Sequence, residues 1–284
     1  MIKLELENES KNVINIDDDV NYQLISATGF TSPSAEIFRS KSPNKKGSKY
    51  NGSTLNERYI TLVIKILGDV EVNRNKLYAW IDSEQYVKIN YQNKLKNVYC
   101  EGYIEESDIP MFDDNETIAV NLVCPDPYWK DLESIYTDIS TLVSEFTFPF
   151  AIDKEGIPFS TILSDNQANV FNAGNETGIM IQAIFSGNVT GLKIFNGNDI
   201  SQYIKFKNSL TFNEGDLLDI NTDSSPKTIT RIKADGTKEN ILKYVDGRPF
   251  WFTLKKGNNV FGYECNDETL VDLKIMFNNK YLGV

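Results

Sequence analysis

The run Glu116-Thr-Ile-Ala-Val-Asn-Leu-Val-Cys-Pro-Asp-Pro-Tyr-Trp129 constrains the fold more than any other stretch of this chain. Its polarity alternates, placing Ile118, Val120, Leu122 and Cys124 on one face, as a half-buried strand requires. Two prolines then arrive within three residues. Proline lacks a backbone N–H and fixes φ, so Pro125 and Pro127 end the ladder at once. Tyr128 and Trp129 follow directly, two large aromatic anchors on a turn.

The same alternation recurs upstream. In Arg58-Tyr-Ile-Thr-Leu-Val-Ile-Lys-Ile-Leu-Gly68, Ile60, Leu62, Ile64 and Ile66 form an unbroken apolar face. The opposite face carries Tyr59, Val63 and Leu67, interrupted by Thr61 and Lys65. A strand this apolar on both sides is central in a sandwich or covered by another subunit. In Asn73-Arg-Asn-Lys-Leu-Tyr-Ala-Trp-Ile-Asp-Ser83, Leu77, Trp80 and Ile81 have helical spacing, which predicts one short helix with Asn73 as its N-cap. Further strands are expected over Gln85–Tyr91, Val98–Ile104 and Thr117–Cys124, separated by turns such as Asp113-Asp114-Asn115.

After Trp129 the pattern changes. Residues 130–145 are polar and make the best boundary, giving expected domains at 1–135 and 136–284. From Phe146-Thr-Phe-Pro-Phe150 onward the chain reads as all β. Asn196-Gly197, Asp235-Gly236 and Asp246-Gly247 are expected to supply the positive φ of tight hairpins, with Thr228–Lys243 the clearest hairpin. Val271, Leu273, Ile275 and Phe277 form a last alternating strand. Many short strands with turns at such intervals point to a sandwich or jelly roll.

Composition removes most chemistry. The 284 residues contain no histidine, which eliminates Ser-His-Asp and Cys-His catalysis and His-ligated zinc. Neither GxxxxGK[ST] nor GxGxxG occurs. Cys100, Cys124 and Cys265 have no CxxC spacing and read as buried free thiols. Glu264, Asp267 and Glu268 could offer paired carboxylates, but they share one turn-like segment and read as a solvated loop. Asp17-Asp18-Asp19 lacks the Gly and the closing Glu of a calcium loop. Trp251 and Phe252 lie mid-strand among apolar residues and read as core rather than a sugar-stacking pair. No catalytic residue, metal site or cofactor is expected.

A formal charge of −11 argues against a broad phosphate-binding surface, so no sequence-specific nucleic-acid binding is expected. It is compatible with a wall past which DNA slides without sticking. No apolar run reaches the roughly 18 residues of a membrane span, and the first residues lack a signal core. Manufacture in the cytoplasm is the resulting expectation. Against this acidic background Arg39-Ser-Lys-Ser-Pro-Asn-Lys-Lys-Gly-Ser-Lys49 stands out, with Arg39, Lys41, Lys45, Lys46 and Lys49 and no acid. Read blandly it is a solvated loop. In an acidic protein that forms a ring, it can reach onto a negative neighbour and fix register.

In order, Arg58–Gly68, the start of a helix at Arg74–Tyr78, Gly102-Tyr-Ile104 and Cys124-Pro-Asp-Pro-Tyr-Trp129 resemble the N-terminal domain of the bacteriophage distal tail (Dit) family. Phe146–Phe150, Asn172-Ala-Gly174, Gly215–Thr222, Trp251–Val260 and Tyr281-Leu-Gly-Val284 are similar to its second domain. The resemblance implies a mainly β protein. Its N-terminal β-sandwich or split-barrel domain carries one short helix and, by the family's six-fold symmetry, forms a hexameric ring around a DNA-wide channel. A galectin-like, lectin-type β-sandwich follows. It also implies a structural, non-enzymatic role at the distal end of the virion tail, assembled in the host cytoplasm. The implied partners are other copies of the chain, a tail-tube protein, a tail-associated hub or lysin protein and receptor-binding proteins. The alternative is a lectin-like protein gripping cell-wall polysaccharide through the second domain. Arg39, Lys41, Lys45, Lys46, Lys49, Tyr59, Val63 and Leu67 are the expected interface residues.

Overall fold

The computed structural model describes residues 2–17, 20–44, 46–81, 84–108, 116–139, 166–223 and 225–284. The expected segments 140–145 and Phe146–Phe150, and Asp18, Asp19, Lys45 and Asp113-Asp114-Asn115, lie outside the described residues. The chain divides into unit 1, residues 1–133 with 280–284, and unit 2, residues 134–279.

Unit 1 comprises β1 (Lys3–Asn8), β2 (Val13–Asn15), β3 (Tyr22–Thr28), β4 (Ala35–Ser40), β5 (Lys49–Leu55), β6 (Arg58–Ile66), α1 (Val70–Trp80), β7 (Tyr86–Gln92), β8 (Asn97–Asp108), β9 (Thr117–Cys124) and β10 (Trp129–Asp131). Its main sheet runs β2-β1-β7-β8-β9-β6-β3. The alternation expected of β6 and β9 is realised in strict register, from Arg58 opposite Cys124 to Lys65 opposite Thr117. One face is closed: Ile60, Leu62, Ile64, Ile118, Val120, Leu122, Val87 and Ile89 have no exposure.

Leu77 and Ile81 pack against this face from the helix. The helix starts earlier than the Asn73 cap predicts. Asp69 is the N-cap, its carboxylate accepting from Val72 N. Asn73 is instead buried inside the first turns, donating to Leu67 O at 2.8 Å. Two β-branched residues, Val70 and Val72, open the helix and hide its start, because their intrinsic preference is for strand.

The prolines produce a corner. β9 pairs with β8 as far as Val123 opposite Tyr103, and β10 pairs with the beginning of β8, Lys130 opposite Tyr99. Residues 125–128 therefore leave the ladder between two strands on the same edge of β8. Tyr128 N donates to Asp126 Oδ1, closing the turn. The strand reading of 98–104 underestimates β8, which runs on to Asp108 through a bulge between Ile104 and Glu106.

Unit 2 comprises β11 (Ile135–Asp138), β12 (Gln167–Asn172), β13 (Thr177–Gly178), β14 (Met180–Phe185), β15 (Val189–Thr190), β16 (Lys193–Asn196), β17 (Asp199–Lys205), β18 (Thr211–Phe212), β19 (Leu217–Asn221), β20 (Thr228–Ile232), β21 (Lys238–Asn240), β22 (Thr253–Leu254), β23 (Gly257–Glu264) and β24 (Val271–Phe277). A six-stranded sheet, β11-β24-β14-β19-β20-β21, and a four-stranded sheet, β12-β23-β16-β17, share one core. This is a β-sandwich. Phe252 is core, as expected, and Trp251 packs half-buried against it.

Two sequence signatures have clear structural causes. In Gly215–Thr222, buried Asp216 accepts from Arg231 Nε at 2.8 Å and from Asn213 N at 2.7 Å, so neither charge is stranded in the core. In Asn172-Ala-Gly174, Asn172 is fully buried and donates to Asn175 O and Leu254 O, while its oxygen accepts from Gly174 N. The expected hairpin at 228–243 is present as β20 paired with β21, with Gly236 at φ +85°. Asn196-Gly197 joins β16 to β17 without a positive φ at glycine, and Asp246-Gly247 supplies a positive φ outside any hairpin. At the first of these positions a two-residue turn, Gly197-Asn198, joins Asn196 to Asp199, with a β-bulge beside it at Phe195/Asn196.

The last five residues do not continue unit 2. Lys280–Tyr281, here β25, pairs with β10, Trp129 opposite Tyr281. An expected second domain of 136–284 misses this return, because two residues of strand carry no periodicity to read.

Candidate assembly surfaces

Arg58 holds the proline corner together. Its side chain is almost wholly buried, and its hydrogen-bond acceptors are backbone carbonyls. Nε donates to Pro127 O at 2.8 Å, and Nη1 donates to Thr31 O at 2.6 Å and to Gly29 O. Nη2 donates to Leu282 O at 2.7 Å. The guanidinium also lies over the Trp129 ring, 5.5 Å from its centroid. Only a planar, five-donor fork can serve several carbonyls at once. Burial pushes the Arg58 pKa down from its ordinary value. Beside it, the Cys124 thiol is pushed up by its hydrogen bond to Cys100 and by burial, as a buried structural thiol should be. Lys130 completes the corner, 3.0 Å from Asp126 and 3.2 Å from Glu101. This cluster is architecture: it positions strands.

The arm formed by β4 and β5 is different in kind. Its strands pair only with each other, Ala35 opposite Leu55 to Ser40 opposite Lys49. Every residue of β4 is exposed. Ile37 is 59% exposed, Phe38 46% and Tyr50 63%. An isolated two-stranded hairpin is marginal in water, so large apolar side chains on both of its strands call for a covering surface.

The basic run is therefore no simple loop. Arg39 lies in β4, Lys49 in β5, and Lys41 and Lys46 in the connection between them, all exposed. Lys45 lies outside the described residues. The arrangement brings these cations together at the end of the arm, beyond Phe38 and Tyr50. Sequence reasoning found the charges but missed Ile37, Phe38 and Tyr50, whose alternation spans too few residues to stand out.

The second surface is the outer face of the main sheet. Tyr59, Val123, Tyr103 and Tyr86 stand opposite one another across β6, β9, β8 and β7. The Tyr86 and Tyr103 rings meet edge to face at 6.1 Å. Tyr59 is 55% exposed and Tyr103 45%. Tyr59 OH donates to Glu57 Oε1 at 2.8 Å, a bond that raises the tyrosine pKa. Tyr86 OH donates to Glu101; burial and that bond together push its pKa up. Glu57, Glu105 and Glu106 are exposed at this end of the row, and none has a cation within ion-pair reach among the described residues. Val63 is half-buried on the same face. Leu67 falls just past the end of β6, its N–H donating to Asn21 O, and does not join the row.

The arm is thus basic and apolar, and the Tyr59 end of the sheet face is acidic and aromatic. Among the described residues no group of three or more Cys, Asp or Glu side chains is arranged to hold a metal. Glu264 pairs with Lys193, and Asp267 accepts from Thr269 N, so the terminal acids do not converge on a cleft.

Comparison with known proteins agrees with this architecture. Residues 172–281 match the family model described as siphovirus-type tail component, C-terminal domain. The whole chain is similar in fold to the crystal structure of Dit from phage SPP1, described as a paradigm of the hub adsorption apparatus in phages that infect Gram-positive bacteria. That similarity has a TM-score of 0.68 at 15% identity and covers 98% of each chain. A chain of the phage P2 baseplate in its activated conformation with Ca is similar at a TM-score of 0.55 and 13% identity, covering 100% of both chains. The corresponding structure with Sr gives a TM-score of 0.54 at 13% identity over 98% of each. No curated protein matches the chain in sequence.

Proposed function

We propose that the chain is a Dit-type siphovirus tail component that forms a closed ring, a hexamer, at the distal end of a phage tail. It is a structural phage tail and baseplate hub protein. In the ring, unit 1 does the assembling and unit 2 stands available to neighbouring proteins. The observation that supports this best is the complementarity of two surfaces on one unit. The basic, apolar arm β4–β5 fits the acidic-aromatic row Tyr59, Val123, Tyr103 and Tyr86 of a second copy. A surface and its complement at different places on one subunit make a heterologous contact, which closes into a ring when the rotation allows.

Arg39, Lys41, Lys45, Lys46 and Lys49 then meet Glu57, Glu105 and Glu106 of the neighbour, while Phe38 and Tyr50 cover the tyrosine row. Tyr59 and Val63 lie in the receiving face. Charge complementarity of this kind fixes register and speeds encounter more than it adds affinity. The partners are a tail-tube protein, a tail-associated hub or lysin protein and receptor-binding proteins. The role is non-enzymatic. The excess of acid over base suits a channel through which DNA passes without adhering. Antibodies against this chain, applied to intact particles of the phage that encodes it, should label the tail tip alone in electron micrographs. Label along the shaft, on the head, or on no particle would remove the proposal.

A further inference from the structure

Across β23, β16 and β17, Glu264, Lys193 and Lys205 stand directly opposite one another. Like charges opposite each other on adjacent strands are destabilising, and the single carboxylate relieves only one of the two cations. Glu264 lies 3.2 Å from Lys193 Nζ. Lys205 has no carboxylate within ion-pair reach among the described residues. The next row on the same face runs Gln167, Gly262, Phe195 and Tyr203. A Cβ at Gly262 would fall 2.7 Å from both the Gln167 and Phe195 side chains. Glycine there lets the Phe195 ring lie down on the sheet, under Lys193 Nζ at 5.1 Å from its centroid. Tyr203 stands at the rim, 38% exposed. Lys193, Tyr203, Lys205, Asn208 and Glu264 line a groove of 510 Å³, within the roughly 300–1,000 Å³ typical of small-molecule sites.

Each part of the groove suits a different part of a ligand. The cation without a counter-ion suits an anionic group. The exposed flank of Tyr203 suits the apolar face of a pyranose ring, and Asn208 and Glu264 suit hydroxyls. A bare inorganic anion would use only the first of these, and a neutral sugar would leave Lys205 unpaired. We propose that this groove binds an anionic saccharide, a pyranose bearing a phosphate or a carboxylate. Lys205 pairs with the anionic group and Tyr203 stacks on the sugar. The site rests on unit 2 alone and does not depend on ring assembly through unit 1.

Saturation-transfer NMR on the full-length protein tests it with three probes: N-acetylglucosamine 6-phosphate, glucuronic acid and N-acetylglucosamine. At least one of the two anionic sugars should show transfer concentrated on its pyranose protons. It should bind about tenfold more tightly than the neutral sugar, the usual worth of one charged hydrogen bond. Lys205→Gln should erase that advantage and Lys205→Arg should keep it, both with an unchanged melting temperature. Tyr203→Ala should weaken transfer to the pyranose protons. Absence of transfer from both anionic sugars, or an advantage that survives Lys205→Gln, would overturn the assignment. So would inorganic phosphate competing as well as the phosphosugar at equal concentration, which would leave only an anion site.

Discussion

Replacing Arg58 by methionine should lower the melting temperature of unit 1 by roughly 10 °C or more. The expected loss is about 3–5 kcal/mol, the range found when one partner is removed from a buried charged network. The reason lies in what remains behind. The carbonyls of Gly29, Thr31, Pro127 and Leu282 all lose a charged donor at a part-buried site, and acceptors shielded from water without partners are costly. Methionine fills similar volume, so the effect reports hydrogen bonding more than packing. Arg58→Lys should also destabilise, because an ammonium cannot reproduce the planar fork. Deleting residues 280–284 should destabilise as well, since it takes away the pairing of β25 with β10, the Leu282 carbonyl and the Tyr281 OH–Asp131 bond. Combined with Arg58→Met, the deletion should be less than additive, because the two share one bond. Differential scanning calorimetry reads all of these, and Arg39→Met, at an exposed position, is the control. If Arg58→Met melts with its parent, the guanidinium does not hold the corner.

Removing the arm should abolish assembly. Replacing residues 36–54 by a short Gly-Ser turn takes away Ile37, Phe38, Tyr50 and the whole basic cluster. It leaves the main sheet intact, since β4 and β5 pair only with each other. The variant should sediment as a monomer at concentrations where the parent is a ring, with its thermal transition nearly unchanged. A milder version isolates the electrostatic part. Arg39, Lys46 and Lys49 changed to Glu should weaken assembly by roughly 10–100-fold at low salt, a few rim charges acting together. Above about 1 M salt the Debye length falls to about 3 Å, and mutant and parent should converge. Rings that form normally without the arm would exclude it from the interface.

The strands were legible where the physics is local. The alternation of β6 and β9 follows from period-two burial, and the closed face has almost no exposure in the folded unit. The hairpin β20–β21 was legible because Asp235-Gly236 supplies the positive φ its turn needs. Three features were hidden, each for a physical reason. The helix start was misplaced because Asp69, not Asn73, makes the capping bond. The arm read as a loop because its exposed strands show no burial pattern. The partnership of Arg58 with residues far along the chain was invisible because all its acceptors are backbone carbonyls, which every residue type provides. The motif Cys124–Trp129 nonetheless marked the right place, since Arg58 is built around Pro127 and Trp129. The candidate surfaces were half legible: the charges of the arm and Tyr59 stood out, whereas Tyr103, Tyr86 and Val123 join them only through register.

Ring formation is the central claim of the proposed function, and mass photometry of the full-length protein over a concentration series addresses it directly. The expected result is a discrete species at about six times the 32.3 kDa of one chain, without a continuous ladder of larger aggregates, because a closed ring leaves no free end. It should be present alone or on adding the tail-tube and hub proteins of the same phage. A protein that remains monomeric at every concentration, both alone and with those partners, would contradict the account.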